Sequence, residues 1–473
     1  MSEWMGEGGA KTLGIVSAIR TLPGSYRYTL LSGGAVTVES PQRFELNETV
    51  EVSYSAGGAL LSKSERRVDY RAALEDAVAK VRLGERASLL KKRGFSRSGP
   101  LDRIAVRMLP KLVQAAEKLL RAAISGAPIV VRFHGDGDGS TGAVCLYRAI
   151  EALSDSIPME PDVRWALNRG ISYSVESFYY DTMHFNEYES VEKPLVCIID
   201  FGTTEESNDA LKKAVERFDM VWLDHHPMPK GFLSDMLGDY INPTMFKGTS
   251  DFTAGFLAGV FSELLADIHV REIMEASLIS DFSAYADRND GEASRIATVL
   301  DFVTGIKNST RYLDGPVTPA YLSKLISDQE KMRSVHDYAH SMIEDAIEMG
   351  IERSKRYMTG SGIPVNVIDF VHIADKYGGY LLPGRYSSRL QGRLEETNPD
   401  GSITIVNFRN AISIRVSKHI AGRVKLLDVI ESLKESPDIV VSGGGHKEAA
   451  SVMAAEGQSE AAIRLLLGKL GAS

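Results

Sequence analysis

The pattern of apolar and polar positions changes twice in the first half of the chain. In residues 11–62, five short apolar runs are separated by turn residues such as Gly33-Gly34, and this spacing predicts the strands of a small β-barrel. A β-meander that only packs on its neighbour fits the same pattern. Between residues 64 and 125, apolar positions recur at three- and four-residue intervals, which predicts amphipathic helices.

From Pro128 onward, continuous apolar runs alternate with helical segments. The runs are IVVRF, PLVCIID and DMVWLD, and acidic residues follow or end each of them. Unbroken apolar runs are typical of parallel strands that are buried on both faces, and alternation with helices indicates a doubly wound sheet. In such sheets, ligand groups gather at the carboxyl ends of the strands, where these acidic residues fall. A second α/β pattern starts near Ile363 and closes on a terminal helix.

We therefore predict an α/β protein with a doubly wound parallel-sheet domain, a smaller α/β C-terminal domain and a small N-terminal β module. The predicted bounds are 1–62 for the β module, 63–315 for the parallel-sheet domain with its N-terminal helices, 316–360 for a helical linker, and 361–473 for the C-terminal domain.

Composition narrows the class of protein only in part. The net charge of -9 argues against a surface coated in positive charge for duplex binding, although a local basic groove is compatible with it. No run approaches the length of a membrane span, and the polar N-terminus is unlike a secretory signal. Cys145 and Cys197 lie in apolar runs, so we expect two reduced core thiols in a cytoplasmic protein that makes no membrane contact.

The first candidate chemical motif follows the strand IVVRF. His134 precedes Asp136-Gly137-Asp138, and the segment then opens a helix. Two aspartates separated by one residue can converge on one or two hard cations, and the helix N-terminus behind them favours an anion. Taken alone, the segment also fits a turn or a fragment of a calcium loop.

Three further motifs carry carboxylates or imidazoles. Asp200 ends a strand, and Asp224-His225-His226 ends the next one. The backbone turns at a strand end, so one imidazole can bind a metal while its neighbour meets a substrate phosphate. A later segment offers both Asp281 and Asp287, and position alone does not choose between them.

In this order, the four motifs resemble those of the DHH phosphoesterases, and in particular the archaeal RecJ-like single-strand exonucleases of the GINS-associated type. His134, Asn242 in Ile241-Asn242-Pro243, and Thr253-Ala254-Gly255 match finer features of that branch. For the fourth motif, Ala286-Asp287 matches the family's ending better than Ser280-Asp281 does, which favours Asp287 over Asp281. In the family, a glycine is more usual than an alanine before this acid.

Two other regions extend the resemblance. The segment Ser442–His446 is similar to the Gly-Gly-Gly-His signature of the DHH-associated domain, and Arg415 matches an arginine that binds the substrate backbone in relatives. The resemblance implies a substrate-binding set of Arg415, Gly443, Gly444, Gly445 and His446. Residues 46–52 look like a turn-and-strand segment of OB-fold and S1-like domains.

The resemblance implies a phosphodiesterase that uses two Mn²⁺ or Mg²⁺ ions and degrades single-stranded DNA or RNA in replication or repair. It implies these metal ligands: His134, Asp136, Asp138, Asp200, Asp224, His225 and Asp287. The resemblance also implies these catalytic residues: Asp136, Asp138, Asp200, Asp224, His225, His226 and Asp287. A hydrolase of short oligonucleotides or small nucleotides is the first alternative. A replication scaffold that binds the GINS complex is an alternative of another class, and GINS is the partner that the resemblance suggests.

Overall fold

The computed structural model describes residues 12–32, 34–55, 58–96, 98–287, 291–305, 317–374 and 383–472. Contacts divide the chain into two compact units, of which the first comprises Met1–Thr304 with Gly315–Met332 and the second comprises Gly305–Asp314 with Arg333–Ser473. The N-terminal β module and the first α/β domain therefore belong to one unit.

The β module contains the five strands predicted from the sequence, joined in the antiparallel order β3-β2-β1-β4-β5. Alternating apolar residues from these strands, among them Val16, Tyr28 and Val50, form its core. The strands are β1 (Thr12–Leu22), β2 (Ser25–Leu31), β3 (Ala35–Ser40), β4 (Thr49–Ser55) and β5 (Gly58–Lys63).

Three helices follow, as the apolar spacing predicts. The third is 27 residues long and buries a stripe that includes Leu112, Leu119 and Leu120. The helices are α1 (Tyr70–Ala79), α2 (Leu83–Arg93) and α3 (Gly99–Ser125).

A parallel sheet is the centre of the first unit, and this confirms the predicted doubly wound domain. Its strands follow the order β11-β10-β9-β6-β7, and all four pairings are parallel. A separate short strand, β8, pairs with β1 and joins the β module to this domain. The elements are β6 (Ile129–His134), α4 (Gly137–Ser156), β7 (Val163–Asn168), α5 (Val175–Phe185), β8 (Tyr188–Ser190), β9 (Leu195–Ile199), α6 (Asn208–Arg217), β10 (Asp219–Leu223), β11 (Asp239–Ile241), α7 (Ala254–Leu265), α8 (Arg271–Ser280) and α9 (Gly291–Gly305).

The buried faces of this sheet explain the unbroken apolar runs. Every residue of β9 is buried, and so are the two cysteines, neither of which forms a disulfide. Among the described helices, none combines the length and the apolarity that a bilayer span requires.

The second unit contains a mixed six-stranded sheet in the order β12-β13-β14-β15-β17-β16. Strand β12 falls inside the segment that was predicted to be a helical linker. It is a strand because Lys355 pairs with Val367 of β13, and this pairing extends the sheet. The elements from residue 317 are α10 (Pro319–Ser327), α11 (Gln329–Glu352), β12 (Lys355–Met358), β13 (Pro364–Asp369), α12 (Val371–Ala374), α13 (Pro383–Thr397), β14 (Ile403–Phe408), β15 (Ala411–Val416), α14 (Ala421–Val424), α15 (Leu426–Lys434), β16 (Val441–His446), β17 (Ala449–Ala454) and α16 (Ser459–Lys469).

Candidate metal centre

The carboxyl ends of three neighbouring strands bring the predicted motifs together. His134 is the last residue of β6, Asp200 directly follows β9, and Asp224 directly follows β10. The parallel register places Ile199 opposite both Phe133 and Leu223, so the residues that follow these strands meet at one edge of the sheet.

Asp200 lies between two groups of candidate ligands. Its Oδ2 atom is 3.7 Å from His134 Nδ1, and its Oδ1 atom is 3.4 Å from His225 Nε2 and 3.9 Å from His226 Nδ1. His134, Asp136 and Asp200 form one group whose ligand atoms all lie within 4.8 Å, and Asp200, His225 and His226 form another. Asp200 is thus common to both groups and directs a different oxygen towards each.

The backbone and burial of Asp200 are unusual for a carboxylate. Its φ of 68° is in the left-handed region, and its amide is held by the carbonyl of Leu223 at 2.9 Å. The side chain is 2% exposed, and Oδ1 is a buried atom without a hydrogen-bond partner among the described residues. A buried carboxylate oxygen that accepts no hydrogen bond is costly, and a cation bound there would reduce the cost.

In the first group, His134 Nδ1 is 2.9 Å from Asp136 Oδ2. Asp136 also caps helix α4, because its other oxygen accepts a hydrogen bond from the amide of Gly139 at 3.0 Å. Burial lowers the pKa of His134, but the carboxylates of Asp136 and Asp200 outweigh it and raise this pKa to about 11. The cluster therefore attracts positive charge strongly.

Asp138 is clamped by donors from two other helices. Its Oδ2 accepts from the amide of Ala254 at 2.9 Å, and its Oδ1 accepts from the amide of Gly255 at 2.9 Å and from Ser277 Oγ at 2.5 Å. Oδ2 lies 3.6 Å from His225 Nε2. Burial and the neighbouring Asp200 raise the pKa of Asp138 well above its usual range.

This clamp explains the Thr253-Ala254-Gly255 segment at the start of α7. A Cβ atom on Gly255 would lie 2.8 Å from Asp138 Oδ1 and 2.5 Å from the Asp138 carbonyl oxygen. Because only glycine avoids this overlap, the helix N-terminus can approach the carboxylate and direct its first amides at it.

His225 presents one ring nitrogen to the carboxylates. Its Nδ1 is 2.6 Å from the carbonyl oxygen of Ser250, which can only accept, so Nδ1 carries a proton and donates it. Nε2 faces Asp138, Asp200 and Asp281 at 3.6, 3.4 and 3.7 Å. A metal-binding histidine is held in this way, by a hydrogen bond from the nitrogen that does not bind the ion.

Asp224 uses its carboxylate inside the turn. Oδ1 is 2.8 Å from His226 Nδ1 and accepts from the amides of His225 and His226, while Oδ2 accepts from Thr203 Oγ1. Burial raises the pKa of Asp224, but His226, His225 and Thr203 together hold this pKa well below its usual range. The side chain of Asn242 donates to the carbonyl of His226 at 2.9 Å, which explains the Ile241-Asn242-Pro243 segment. Asp224 therefore orients His226.

The structure brings Asp281, rather than the residue chosen from the sequence, beside His225. Asp281 follows the last residue of α8, and its Oδ2 lies 3.7 Å from His225 Nε2. Asp287 is exposed in the loop beyond it, and its role as a ligand stays a prediction. The Ala286-Asp287 dipeptide matched the family motif by residue type, whereas Asp281 is positioned by the packing of α8 against α4.

Ser277 and Thr203 also belong to this centre, although no sequence motif indicated them. Each donates a hydroxyl hydrogen bond to a buried aspartate, Asp138 and Asp224 respectively. Hydroxyl residues are common along the chain, so their type alone carried no signal.

The predicted substrate-binding residues lie in the second unit. The guanidinium of Arg415 on β15 donates to Ser388 Oγ and to the carbonyl of Gly384, each at 3.0 Å, and burial lowers its pKa. Within the part of the chain that the structure describes, no carboxylate lies in ion-pair distance of Arg415. The glycine-rich segment forms β16, whose register places His446 opposite Ala449, which is itself opposite Arg415.

The chain is similar to one curated protein and to several solved structures. No protein-family model matches the chain. An uncharacterized protein of Methanocaldococcus jannaschii is 22% identical over 410 residues, which cover 76% of this chain and 53% of that protein. The chain thus spans about half the length of this curated relative.

Two of the solved structures that resemble this protein cover most of its chain. A DHH domain from a member of the s1p family of ribosomal proteins matches with a TM-score of 0.65 and 22% identity, over 84% of this chain and 98% of that one. RecJ from Thermus thermophilus in complex with Mn²⁺ matches with a TM-score of 0.48 and 17% identity, over 84% of this chain and 60% of that one. The first of these two matches shows that the chain has the DHH-domain fold, and the resemblance drawn from its motifs is confirmed at the level of the fold.

Proposed function

We propose that this protein is a metal-dependent phosphodiesterase that removes nucleotides from an end of single-stranded DNA or RNA. The observation that carries this proposal is Asp200, whose two buried oxygens face two separate groups of ligand atoms. A carboxylate in this position suits a ligand shared by two cations. Two adjacent divalent cations are a common device for phosphodiester hydrolysis.

The residues at this edge of the sheet fit hard divalent cations. The donor atoms are carboxylate oxygens and imidazole nitrogens, with no sulfur, and such a set suits Mn²⁺ or Mg²⁺. The unpartnered Oδ1 of Asp200 and the raised pKa of His134 both indicate an excess of buried negative charge. Bound cations would supply a water of lowered pKa and would offset charge on the phosphate that is cleaved.

The residues divide into ligands and groups that hold them. His134, Asp136, Asp200, His225 and Asp281 direct atoms into the cluster, and Asp138 contributes through Oδ2. We add Asp281 to the predicted ligand set on its distance from His225. Asp224 keeps the imidazole of His226 in place through its Nδ1, and the other ring nitrogen, Nε2, then remains to donate to a phosphate oxygen.

In the second unit, Arg415 supports a role in binding the substrate backbone. It is a largely buried cation without a carboxylate partner among the described residues, and a phosphate is a suitable counter-ion. Strand β16 is at the end of its sheet, so one edge of the glycine-rich segment has no strand partner in the described structure. Exposed backbone amides at such an edge can bind a phosphate.

One observation favours the alternative of a smaller substrate. The described β module contains four cationic residues, and each is paired with a carboxylate: Arg20 with Asp162, Arg27 with Glu39, Arg43 with Glu189, and Lys63 with Glu48. A surface that tracks a nucleic-acid backbone keeps unpaired cations for the phosphates. Hydrolysis of short oligonucleotides or small nucleotides is therefore the second candidate. Binding to GINS stays a prediction.

A single nuclease assay tests the proposal. Single-stranded DNA and RNA, labelled at either end, would be incubated with the protein and Mn²⁺ or Mg²⁺, and samples would be resolved on a denaturing gel. We expect stepwise loss of nucleotides from one end, and none in EDTA. Rapid hydrolysis of dinucleotides without attack on longer strands would support the smaller-substrate function instead, and no hydrolysis of any phosphodiester would refute both.

Matched variants test the ligand assignment in the same assay. Asp281→Asn should abolish metal-dependent cleavage, because this carboxylate faces His225 Nε2 across the cluster. Asp287→Asn, which makes the same chemical change six residues later in the same loop, should retain cleavage. The reverse result would restore Asp287 as the fourth carboxylate.

A further inference from the structure

A phenylalanine that directly follows a candidate ligand in the chain has a backbone conformation that disfavours a side chain. Phe282 directly follows Asp281, and its φ is 54°. Its amide donates to the carbonyl of Ile279 at 3.2 Å, and the next amide, of Ser283, donates to the carbonyl of Leu278 at 2.9 Å. Helices that end with this pattern usually place glycine in the left-handed position, because a side chain is strained there.

Packing does not explain why a phenylalanine occupies this position. The side chain of Phe282 is 43% exposed, so much of its ring contributes nothing to the core. Among the described residues, seven other than glycine have a positive φ, and Phe282 is the one apolar residue of that set: Asn47, Arg82, Asp200, Lys247, Phe282, Arg409 and Lys425. Strain that the fold does not need is a mark of a functional position.

The loop that carries Phe282 is anchored after the ring. Ser283 Oγ donates to the carbonyl of Asp251 at 2.7 Å, and the amide of Ala284 donates to Asp251 Oδ1 at 2.8 Å. Helix α8 holds the other side. The backbone of Phe282 is therefore held at a set place next to Asp281, which suits a side chain that positions a ligand.

Two other exposed apolar side chains lie either in a loop that carries candidate ligands or in a loop that is hydrogen-bonded to one. Ile171 is 69% exposed, and its carbonyl accepts from the amide of Gly202, two residues after Asp200, at 3.0 Å. Met228 is 41% exposed and lies two residues after His226. Apolar groups thus flank a cluster of charged ones, a combination that matches a nucleotide, which joins an anionic phosphate to an apolar base.

We propose that Phe282 stacks on an unpaired nucleobase of the nucleotide whose phosphodiester lies at the metal centre. The inference rests on the proposed function and names a residue that positions the substrate. An aromatic ring stacks on any base whose face is free, so this contact favours single strands without selecting a sequence. The position of the ring beside Asp281 would align the phosphodiester of the same nucleotide with the ligands.

The test compares variants on two kinds of probe. Short single-stranded DNA oligomers would carry either normal nucleotides or abasic ones at one end, with separate probes for the 5′ and 3′ ends. Cleavage in Mn²⁺ would be measured for wild type, Phe282→Gly, Phe282→Trp and the control Tyr180→Ala, which removes another exposed aromatic ring, on α5. Binding of the same probes to Asp200→Asn protein, with and without Phe282→Gly, would be measured by fluorescence anisotropy.

We expect Phe282→Gly to raise KM for the normal probe about 5- to 140-fold, the range for loss of one base–aromatic stack, and to change KM for the abasic probe little. Phe282→Trp and Tyr180→Ala should resemble wild type. The melting temperature of Phe282→Gly should not fall, because glycine adopts the positive φ without strain. A residue with a merely structural role would lower this temperature and affect both probes equally.

Other outcomes separate this inference from the proposed function. Cleavage by wild type together with equal KM changes on normal and abasic probes would overturn the stacking role and leave the nuclease function standing. If wild type neither cleaves nor binds any oligomer, both are overturned. If it binds without cleaving, the anisotropy comparison decides, since stacking requires Phe282→Gly to weaken binding of the normal probe alone.

Discussion

Asp138 and Asp200 provide a matched pair of buried carboxylates with opposite surroundings. Both belong to the predicted ligand set, and their side chains are 1% and 2% exposed. Asp138 accepts three hydrogen bonds, from Ala254, Gly255 and Ser277, whereas Asp200 Oδ1 accepts none from the described residues. We predict that Asp138→Asn destabilises the protein more than Asp200→Asn does, and that both abolish metal-dependent hydrolysis.

The magnitude follows from the hydrogen bonds of Asp138. In Asp138→Asn, an amide NH₂ replaces one acceptor oxygen, so one buried donor is left unsatisfied at a cost of about 1–3 kcal/mol. The remaining bonds lose their charge and weaken by about 1 kcal/mol each. The loss is therefore roughly 3 kcal/mol or more. Asp200→Asn leaves no backbone amide without its acceptor, although it weakens the ion pairs with His134 and His225, and asparagine tolerates its left-handed backbone.

Thermal unfolding in EDTA measures the difference without the contribution of bound metal. At an unfolding entropy of roughly 2.1 cal/mol/K per residue, a unit of this size shifts by about 1.5 °C per kcal/mol, so Asp138→Asn should melt about 4 °C below Asp200→Asn. Both variants replace a carboxylate by an amide of the same shape, so each controls for cavity effects in the other. Equal melting temperatures would refute the conclusion that the α7 amides and Ser277 stabilise the fold through Asp138.

Three further predictions concern the same unit. Asp181→Ala should lower the free energy of unfolding by about 3–5 kcal/mol in urea titrations, because it leaves the buried guanidinium of Arg132 without the carboxylate that binds it at 2.7 Å. An unchanged midpoint would mean that Arg132 finds another partner. Gly255→Ala should reduce kcat more than 10-fold, since its Cβ would displace Asp138, and a normal kcat would show that α7 can shift without cost. Addition of Mn²⁺ at about 100 times its Kd should stabilise the EDTA-treated protein by about 2.7 kcal/mol. A melting temperature that is the same with and without Mn²⁺ would contradict a metal site.

Much of the site could be predicted because its residues follow strands with a distinctive pattern. The apolar runs IVVRF, PLVCIID and DMVWLD indicated buried parallel strands, and the carboxyl ends of such strands meet at one edge of the sheet. This argument predicts that Asp200 and Asp224 lie at the same edge, whereas His134 is indicated by the resemblance to the DHH phosphoesterases. The DHH-domain fold agrees with the motifs that suggested it.

The residues that the sequence did not assign are those held by contacts between helices. Asp281 and Ser277 lie on or next to α8, which packs on α4, and their contribution depends on that packing rather than on a motif. The strand β12 was likewise predicted to be part of a linker, because its pairing with β13 is not visible in the pattern of a short segment.

By itself, the sequence determined the succession of strands and helices, the burial of the sheet and the ligand types at its edge, because periodicity and strand-end position are local properties. Only the tertiary structure decided which oxygen of Asp200 faces which group, which carboxylate stands beside His225, and which aspartates are occupied by hydrogen bonds. These features depend on distances of a few ångströms between segments far apart in the chain, and no local pattern encodes such distances.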